Sequence, residues 1–367
     1  MRNILLLIAL LITESLLAQG GRQPLDIRMD FESYDPPSTL VVPEHPTTRA
    51  KYPFIDVHSH HWRMDTANLD KLIREMDSLN MGIIVNLSGR GGRTLKAMTE
   101  NIAKQYPNRV AVFTNINLRS IDDPDWTEET VKQIEFDVAN GARGLKIYKS
   151  QGMFNTDSSG NRIRINDPRI DPVWAKCGEL GIPVIIHAAD PRPFWQPLDS
   201  LNERWLELKL RPGRKREADD PAPWETIIAE QHDVFRKHPN TTFINAHFGW
   251  FANDLARLDS LMAEFPNMYV EFGAVIAELG RQPRMANWFF EKHQDRILFG
   301  KDAYHPEEYH TYFRVLETAD EYFPYYKRYH AFWKMYGLDL PDEILKKVYY
   351  KNALRIIPGL DASLFPE

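Results

Sequence analysis

Cysteine is almost missing: Cys177 is the only one in 367 residues. Neither an internal disulfide nor a cysteine metal site can be built from it, so the fold has to be held by its core, and any metal by other ligands. Cys177 itself reads as a buried apolar filler. An excess of positive charge is missing too. The 45 Lys plus Arg stand against 51 Asp plus Glu, a net charge of -6, and no basic field is present to hold nucleic acid. Gly89-Arg90-Gly91-Gly92-Arg93 lacks the spacing of a phosphate or dinucleotide loop and reads as a flexible turn. A membrane-spanning helix needs ~20 consecutive apolar residues. The run from Leu5 to Ile12 is shorter and is interrupted by Thr13-Glu14-Ser15.

That short run has one positive charge before it, at Arg2, and ends near Leu17-Ala18-Gln19. This is the pattern of a secretory signal peptide over 1–18, cleaved near Ala18. The expected product is exported, periplasmic or secreted, without a membrane anchor. Residues 19–51 are rich in proline and polar residues and have no period, as expected of an N-terminal arm.

A rhythm begins after that. Eight short apolar runs end at Phe54-Ile55-Asp56-Val57-His58, Gly82-Ile83-Ile84-Val85-Asn86-Leu87, Val110-Ala111-Val112-Phe113-Thr114, Gly144-Leu145-Lys146-Ile147-Tyr148, Pro183-Val184-Ile185-Ile186-His187, Thr242-Phe243-Ile244-Asn245-Ala246-His247, Met268-Tyr269-Val270-Glu271-Phe272 and Arg296-Ile297-Leu298-Phe299-Gly300-Lys301-Asp302. β-branched runs without alternation are what strands covered on both faces should have. Helical spacing lies between them, over Asn68 to Leu79, Trp126 to Ala139, Asp254 to Phe265 and Met285 to His293. Strands alternating with helices predict a parallel (β/α)8 barrel over 52–360, with an open doubly wound sheet as the other arrangement. Ala188 to Ala222 breaks the rhythm with prolines, aromatics and a basic stretch from Lys209 to Arg216. It reads as a lid inserted after the fifth strand, because Phe194, Trp195, Trp205 and Trp224 need something to cover.

A His-x-His pair arises easily by chance in a chain with 12 histidines, so position has to carry the argument. His58 and His60 point to one side of the first strand, His187 and His247 end the fifth and sixth runs, and Asp302 ends the eighth. C-terminal strand ends are where barrel active sites form. Neutral imidazoles at His58, His60 and His187 with one carboxylate at Asp302 suit a single divalent cation, zinc above all and manganese as the alternative. Its water would be acidic enough to attack at neutral pH, with Asp302 accepting the proton and His247 polarising a carbonyl oxygen.

Asp56-Val57-His58-Ser59-His60, His187, Asn245-Ala246-His247-Phe248-Gly249, Asp295 to Asp302 and the closing Tyr350-Lys351-Asn352-Ala353-Leu354-Arg355 together resemble the amidohydrolase superfamily, in its amidohydrolase-related (amidohydrolase 2) branch. The resemblance runs from about Phe54 to Leu360. It implies a distorted eight-stranded barrel holding its metal through His58, His60, His187 and Asp302, with His247 close to the substrate. Members hydrolyse esters, lactones or amides, or decarboxylate aromatic acids. Many binuclear relatives carry a carboxylated lysine on the fourth strand. Here Lys146 stands there, with Lys149 just beyond, as a candidate bridge to a second metal.

The expected alternative for a buried Lys146 is an ion pair with Asp56 or Glu271. In the lid, Arg192 and Arg204 are candidate clamps for a substrate carboxylate, beside Trp195. From Tyr304 to Tyr336 the density of Tyr, Phe and Trp predicts an aromatic C-terminal helical cap that includes His305, His310 and His330. The expected partner is a small molecule; self-association is left open.

Overall fold

A computed structural model describes residues 26–366, so the expected signal peptide over 1–18 lies outside the described residues. Among those described, no helix is long and apolar enough to cross a membrane. The chain divides into Met1–Val41 and Val42–Glu367. The described part of the first unit is extended chain with one 3-10 turn at Phe31–Ser33. The last residues of the expected arm belong to the second unit and are tied to it. The His45 amide donates to Asp320 at 2.7 Å, the Lys51 amide to Glu317 at 3.0 Å and the Ala50 amide to the Leu79 carbonyl at 3.1 Å.

The second unit is the expected (β/α)8 barrel. Its strands are β1 Phe54–Ser59, β2 Met81–Asn86, β3 Val110–Asn115, β4 Ala142–Ile147, β5 Val184–Ile186, β6 Phe243–Asn245, β7 Met268–Glu271 and β8 Ile297–Leu298. They pair in parallel in chain order. Closure between β8 and β1 rests on two hydrogen bonds, Val57 N–H to the Phe299 carbonyl at 2.9 Å and Asp302 N–H to the His58 carbonyl at 2.7 Å. Every residue of β1, β5, β6 and β8 is buried, which is why these strands lack a polar face.

The helices are α1 Asp70–Leu79, α2 Arg93–Gln105, α3 Trp126–Ala139, α4 Asp171–Glu179, α5 Trp205–Leu210, α6 Trp224–Lys237, α7 Leu255–Glu264, α8 Ile276–Gly280, α9 Pro283–His293, α10 Pro306–Glu317, α11 Asp342–Lys346 and α12 Asn352–Ile356, the last two joined by a π-helical turn at Lys347–Lys351. Of the apolar residues with helical spacing at Leu69, Leu72, Ile73 and Met76, Leu72 is half-buried and the other three are buried. The expected helical cap at Tyr304 to Tyr336 is helical only over α10; beyond it the chain forms a small antiparallel ladder between Phe323–Pro324 and Lys334–Met335. Pro324 and the residues after α10 have no helical spacing to extend it. Cys177 is buried, and burial pushes its thiol up to about 12, so it fills space and is not a nucleophile.

Segment 188–222 holds a 3-10 turn at Arg192–Trp195, the short helix α5 and a further turn at Pro212–Arg214. Aromatic N–H groups anchor both its ends. Trp195 Nε1 donates to the Ala222 carbonyl and Trp224 Nε1 to the Asp190 carbonyl, each at 2.9 Å. Its inner carboxylate, Glu207, lies 3.2 Å from Arg204, 3.1 Å from His330 and against Arg214. Burial alone would raise the Glu207 carboxyl, but His330, Arg204 and Arg214 outweigh it and hold it at about 2.

Two stability predictions follow from this packing. Phe54 lies 4.7 Å from Phe299 and 5.4 Å from Phe313, where β1, β8 and α10 meet. Phe54→Ala should cost about 3–5 kcal/mol, read as a lower urea midpoint. A depressed carboxyl stabilises the fold fully above its unfolded pKa and loses that contribution as pH falls through the folded value. The wild type should therefore lose stability between its ordinary value near 4.5 and about 2, and Glu207→Gln should flatten that part of the urea-midpoint profile.

Candidate metal centre

The strand ends bring His58, His60, His187, His247 and Asp302 to one mouth of the barrel. His58 Nε2 and His60 Nε2 lie 3.6 and 3.7 Å from Asp302 Oδ1. Ligand atoms of these three residues fall within 4.8 Å of one another. Burial and the Lys146 ammonium lower the His58 ring well below its ordinary range and His60 to about 4. Both are neutral at physiological pH and keep a ring lone pair.

The nitrogens behind them decide which lone pairs face inward. His58 Nδ1 is 2.8 Å from Glu271 Oε1, and His60 Nδ1 is 2.8 Å from Ser88 Oγ. With Nδ1–H donated rearward, each Nε2 is left as an acceptor for a cation. Glu271 is held from several sides. It accepts the His247 amide at 2.8 Å and the Gly273 amide at 2.6 Å as well as the His58 ring. His58, His247 and Glu271 also have ligand atoms within 4.8 Å of each other. These contacts occupy the Glu271 oxygens, so that triad supports the centre from behind. Close approach of β8 requires glycine here: a Cβ on Gly300 would sit 2.2 Å from Glu271 Oε2.

His187 joins through His247. His247 Nδ1 lies 2.6 Å from the Gly273 carbonyl, which can only accept, so Nδ1 carries the proton and Nε2 the lone pair. His187 Nδ1 lies 3.2 Å from that Nε2 and donates to it. His187 Nε2 is then a lone pair, buried and without any hydrogen-bond partner. An orphaned acceptor at this place fits a cation ligand. His187 has no ligand atom in the tight His58-His60-Asp302 group.

The chain bends sharply to place these groups. His247, Phe248 and Gly249 have φ of 57°, 53° and 58°, and Asp302 has φ of 81°. Left-handed backbone at non-glycine residues is strained, and it is held here by hydrogen bonds from the His247 amide to Glu271 and from the Asp302 amide to the His58 carbonyl. Burial alone would raise the Asp302 carboxyl, but the His58, His247 and His60 rings and Lys146 outweigh it and keep it ionised.

Lys146 does not make the expected ion pair. Asp56 is occupied by the His58 and Lys301 amides at 2.9 and 3.1 Å and by the Tyr309 hydroxyl at 2.5 Å, and Glu271 is occupied as described. Lys146 Nζ instead lies 3.4 Å from His58 Nε2, inside the centre. Burial lowers its pKa to about 8 and raises Asp56 to about 7.

Of the three lid candidates, only Arg204 reaches the cavity beside the metal centre. Arg192 is half-exposed, 3.6 Å from Glu225 and stacked over Trp224. Trp195 is committed to the Ala222 carbonyl. Arg204 is buried and bound to Glu207 and Glu278, so its donors serve the protein. The cavity, of about 190 Å³, is lined by Lys149, His187, His247, Asp302, Trp250 and Tyr326 among others. His305 and His310 are not among its lining residues, whereas His330 is. Trp62 and Tyr148 stack beside His60, with centroids 6.3 and 5.7 Å away. Sequence reading missed Ser88 and Trp250, and offered Glu271 only as a partner for Lys146, not as the carboxylate behind His58.

Glu271→Gln keeps the shape but loses the charge that holds His58 Nδ1–H. Zinc affinity should fall by about 10–100-fold, measured by competition with a chromogenic chelator.

A family model described as Amidohydrolase matches residues 55–359. A search of curated proteins found no match. Among solved structures, a dihydroxybenzoic acid decarboxylase from Polaromonas sp. JS666 with bound manganese and 2-nitroresorcinol is 14% identical, with TM-score 0.53, over 85% of this chain and 99% of that one. A putative amidohydrolase from Staphylococcus aureus is 18% identical, TM-score 0.52, over 83% and 99%. 2,6-Dihydroxybenzoate decarboxylase complexed with 2,6-dihydroxybenzoate is 14% identical, TM-score 0.51, over 83% and 99%. At these identities the likeness concerns the fold. The family match covers the barrel from β1 past β8, and the chain belongs to the amidohydrolase family.

Proposed function

We propose that this protein is an exported metal-dependent hydrolase that cleaves an ester, lactone or amide bond in a small molecule. The observation that carries the reading is the convergence of the His58 and His60 Nε2 lone pairs on Asp302, with the partnerless Nε2 of His187 at the same mouth. Three imidazole nitrogens and one carboxylate suit zinc, and manganese is the alternative that the Polaromonas decarboxylase brings to mind. A divalent cation bound there would acidify water and polarise a carbonyl.

The chain's own groups supply the rest. Asp302 stays ionised and its side chain is about one-third exposed, at 35%, so Oδ1 can take the proton of the attacking water and return it to the leaving group. His247 has both ring nitrogens engaged, and its role is to orient His187 rather than to polarise a carbonyl directly. Trp250, 4.6 Å from the His247 ring and stacked on it, keeps water from that side. Segment 188–222 acts as a lid, contributing Phe194 and Glu207 to the cavity wall. Lys146 beside His58 leaves the fourth-strand position available to a second metal, though its ammonium disfavours one while uncarboxylated.

A second reading, decarboxylation of an aromatic acid, is favoured by the aromatic lining of the cavity by Phe194, Trp250, Tyr325 and Tyr326, and agrees with what the two decarboxylases of this fold act on.

Elemental analysis of purified protein should find about one divalent cation per chain. His187→Ala and Asp302→Ala should lose both metal and turnover on an ester, lactone and amide panel; full activity in a metal-free variant would overturn the assignment. Carbon dioxide released from an aromatic acid panel, with no bond hydrolysed in the first panel, would replace hydrolysis by the second reading.

A further inference from the structure

The end of the barrel away from the metal centre holds a second cavity, larger than the one at the mouth. Its volume is about 310 Å³, against about 190 Å³. It lies where β3 and β4 begin, beneath α2 and beside the chain that follows α12. The strands run parallel, so their first residues stand at the end opposite His58, His60 and Asp302. The wall is largely aliphatic, with Ile83, Ile102, Val110, Val112 and Leu360, and no aromatic ring lines it. Small-molecule sites are concavities of roughly 300–1,000 Å³ with apolar walls and a few polar groups that fix orientation.

One charged group of this wall has nothing to answer it. Arg143 is the second residue of β4. Lys146, three residues on, has the opposite parity and turns into the barrel toward His58, so Arg143 faces the helix layer. Arg143 is half-buried and, among the described residues, has neither a hydrogen bond nor an ion pair. Every other arginine there that is partly or fully buried binds a carboxylate or a backbone carbonyl. Its guanidinium is laid against Gly359, where a Cβ would come within 2.6 Å of Arg143 Cζ.

The other polar groups of the wall are committed. Asn108 donates to Asp361, Asn140 to the Phe136 carbonyl and Thr99 to the Asn140 carbonyl, each at 2.8 Å. Glu100, the one carboxylate in the wall, lies 3.9 Å from Lys96 on its own helix. A guanidinium presents paired N–H donors in one plane, which match a carboxylate, and a partly dry site strengthens that pairing. One guanidinium balances one negative charge, and Glu100 would repel a second.

We propose that this cavity is a binding site for a small aliphatic monocarboxylate, with its carboxylate on Arg143 and its alkyl chain along the wall formed by α2 and β3. The site is separate from the metal centre and does not rest on the function proposed above.

The test is calorimetric titration of the full chain with butyrate, hexanoate, octanoate, octan-1-ol and inorganic phosphate. Octanoate should bind one per chain, with affinity rising about two- to fourfold per added methylene. Octan-1-ol and phosphate should bind at least about tenfold more weakly, because each lacks half of what the cavity offers. Arg143→Met should weaken octanoate by about tenfold or more, and Arg143→Lys by less. Ala103→Trp, at an exposed position of α2 on the cavity wall, should remove binding while Arg143 stays in place, and decides the matter if Arg143→Met fails to fold by circular dichroism. Asp302→Ala, at the other end of the barrel, should bind octanoate as the wild type does. The proposal is overturned if octanoate does not bind at millimolar concentration, or if octan-1-ol or phosphate binds as tightly. Full affinity in folded Arg143→Met or in Ala103→Trp would overturn it too, and loss of binding in Asp302→Ala would move the ligand to the metal centre.

Discussion

Each imidazole at the barrel mouth has its proton assigned by a partner behind it, and the chemistry of the mouth depends on that assignment. A carbonyl oxygen can only accept, so Gly273 dictates the His247 tautomer, and His247 in turn dictates that of His187. Glu271 does the same for His58 and Ser88 for His60. The outcome is three Nε2 lone pairs at one mouth, of which that of His187 is buried without a partner and that of His58 faces Lys146 at 3.4 Å. His58 and His60, with Asp302, form a group that could hold a cation. The strained backbone at His247 and Asp302 makes sense in the same terms, because those bends let the rings and carboxylate meet over the end of a barrel only eight strands wide.

Glu271 also explains why the barrel tolerates so much buried polarity. One carboxylate gathers a ring N–H and two amides, and Asp56 gathers two amides and a hydroxyl. Buried carboxylates so supplied do not need a lysine. That leaves Lys146 facing His58, where its ammonium and a divalent cation would compete for the same lone pair. Burial lowers the lysine's pKa to about 8, in the direction that makes this competition easier for the metal to win.

Much of this was legible in the sequence, for definite reasons. The eight apolar runs fell where the strands are because strands buried on both faces cannot hide their composition. β8 has only Ile297 and Leu298 in regular pairing, yet the run through Asp302 found it, since the residues after the pairing still close the barrel onto β1. The histidines and Asp302 were legible because strand ends are where a barrel exposes side chains to its mouth. What was not legible was partnership. Lys146 and Glu271 are both charged residues in buried strands, and nothing in spacing tells which of several buried charges will meet. Arg192 and Arg204 looked alike as lid cations; tertiary packing sent one to Glu225 at the surface and the other to a buried pair of glutamates.

The distribution of charge around the cavity follows from the same constraint that shapes the metal centre. A cation at the His58-His60-Asp302 cluster brings two positive charges to a mouth that already holds Lys146, and only Asp302 stands directly against them. A protein needing merely to stabilise itself there would match every surrounding cation with a carboxylate, as it does at Arg204 and Arg214. At Lys327 and Lys149 the matching carboxylates, Glu308 and Asp190, are each shared with a second cation, Lys301 and Arg216. Unmatched charge in a confined space raises the folding cost and lowers the cost of binding an anion by the same interaction. Cations that share a carboxylate are held less tightly than matched pairs, so the wall keeps more positive character at Lys327 and Lys149 than beside Arg204 and Arg214.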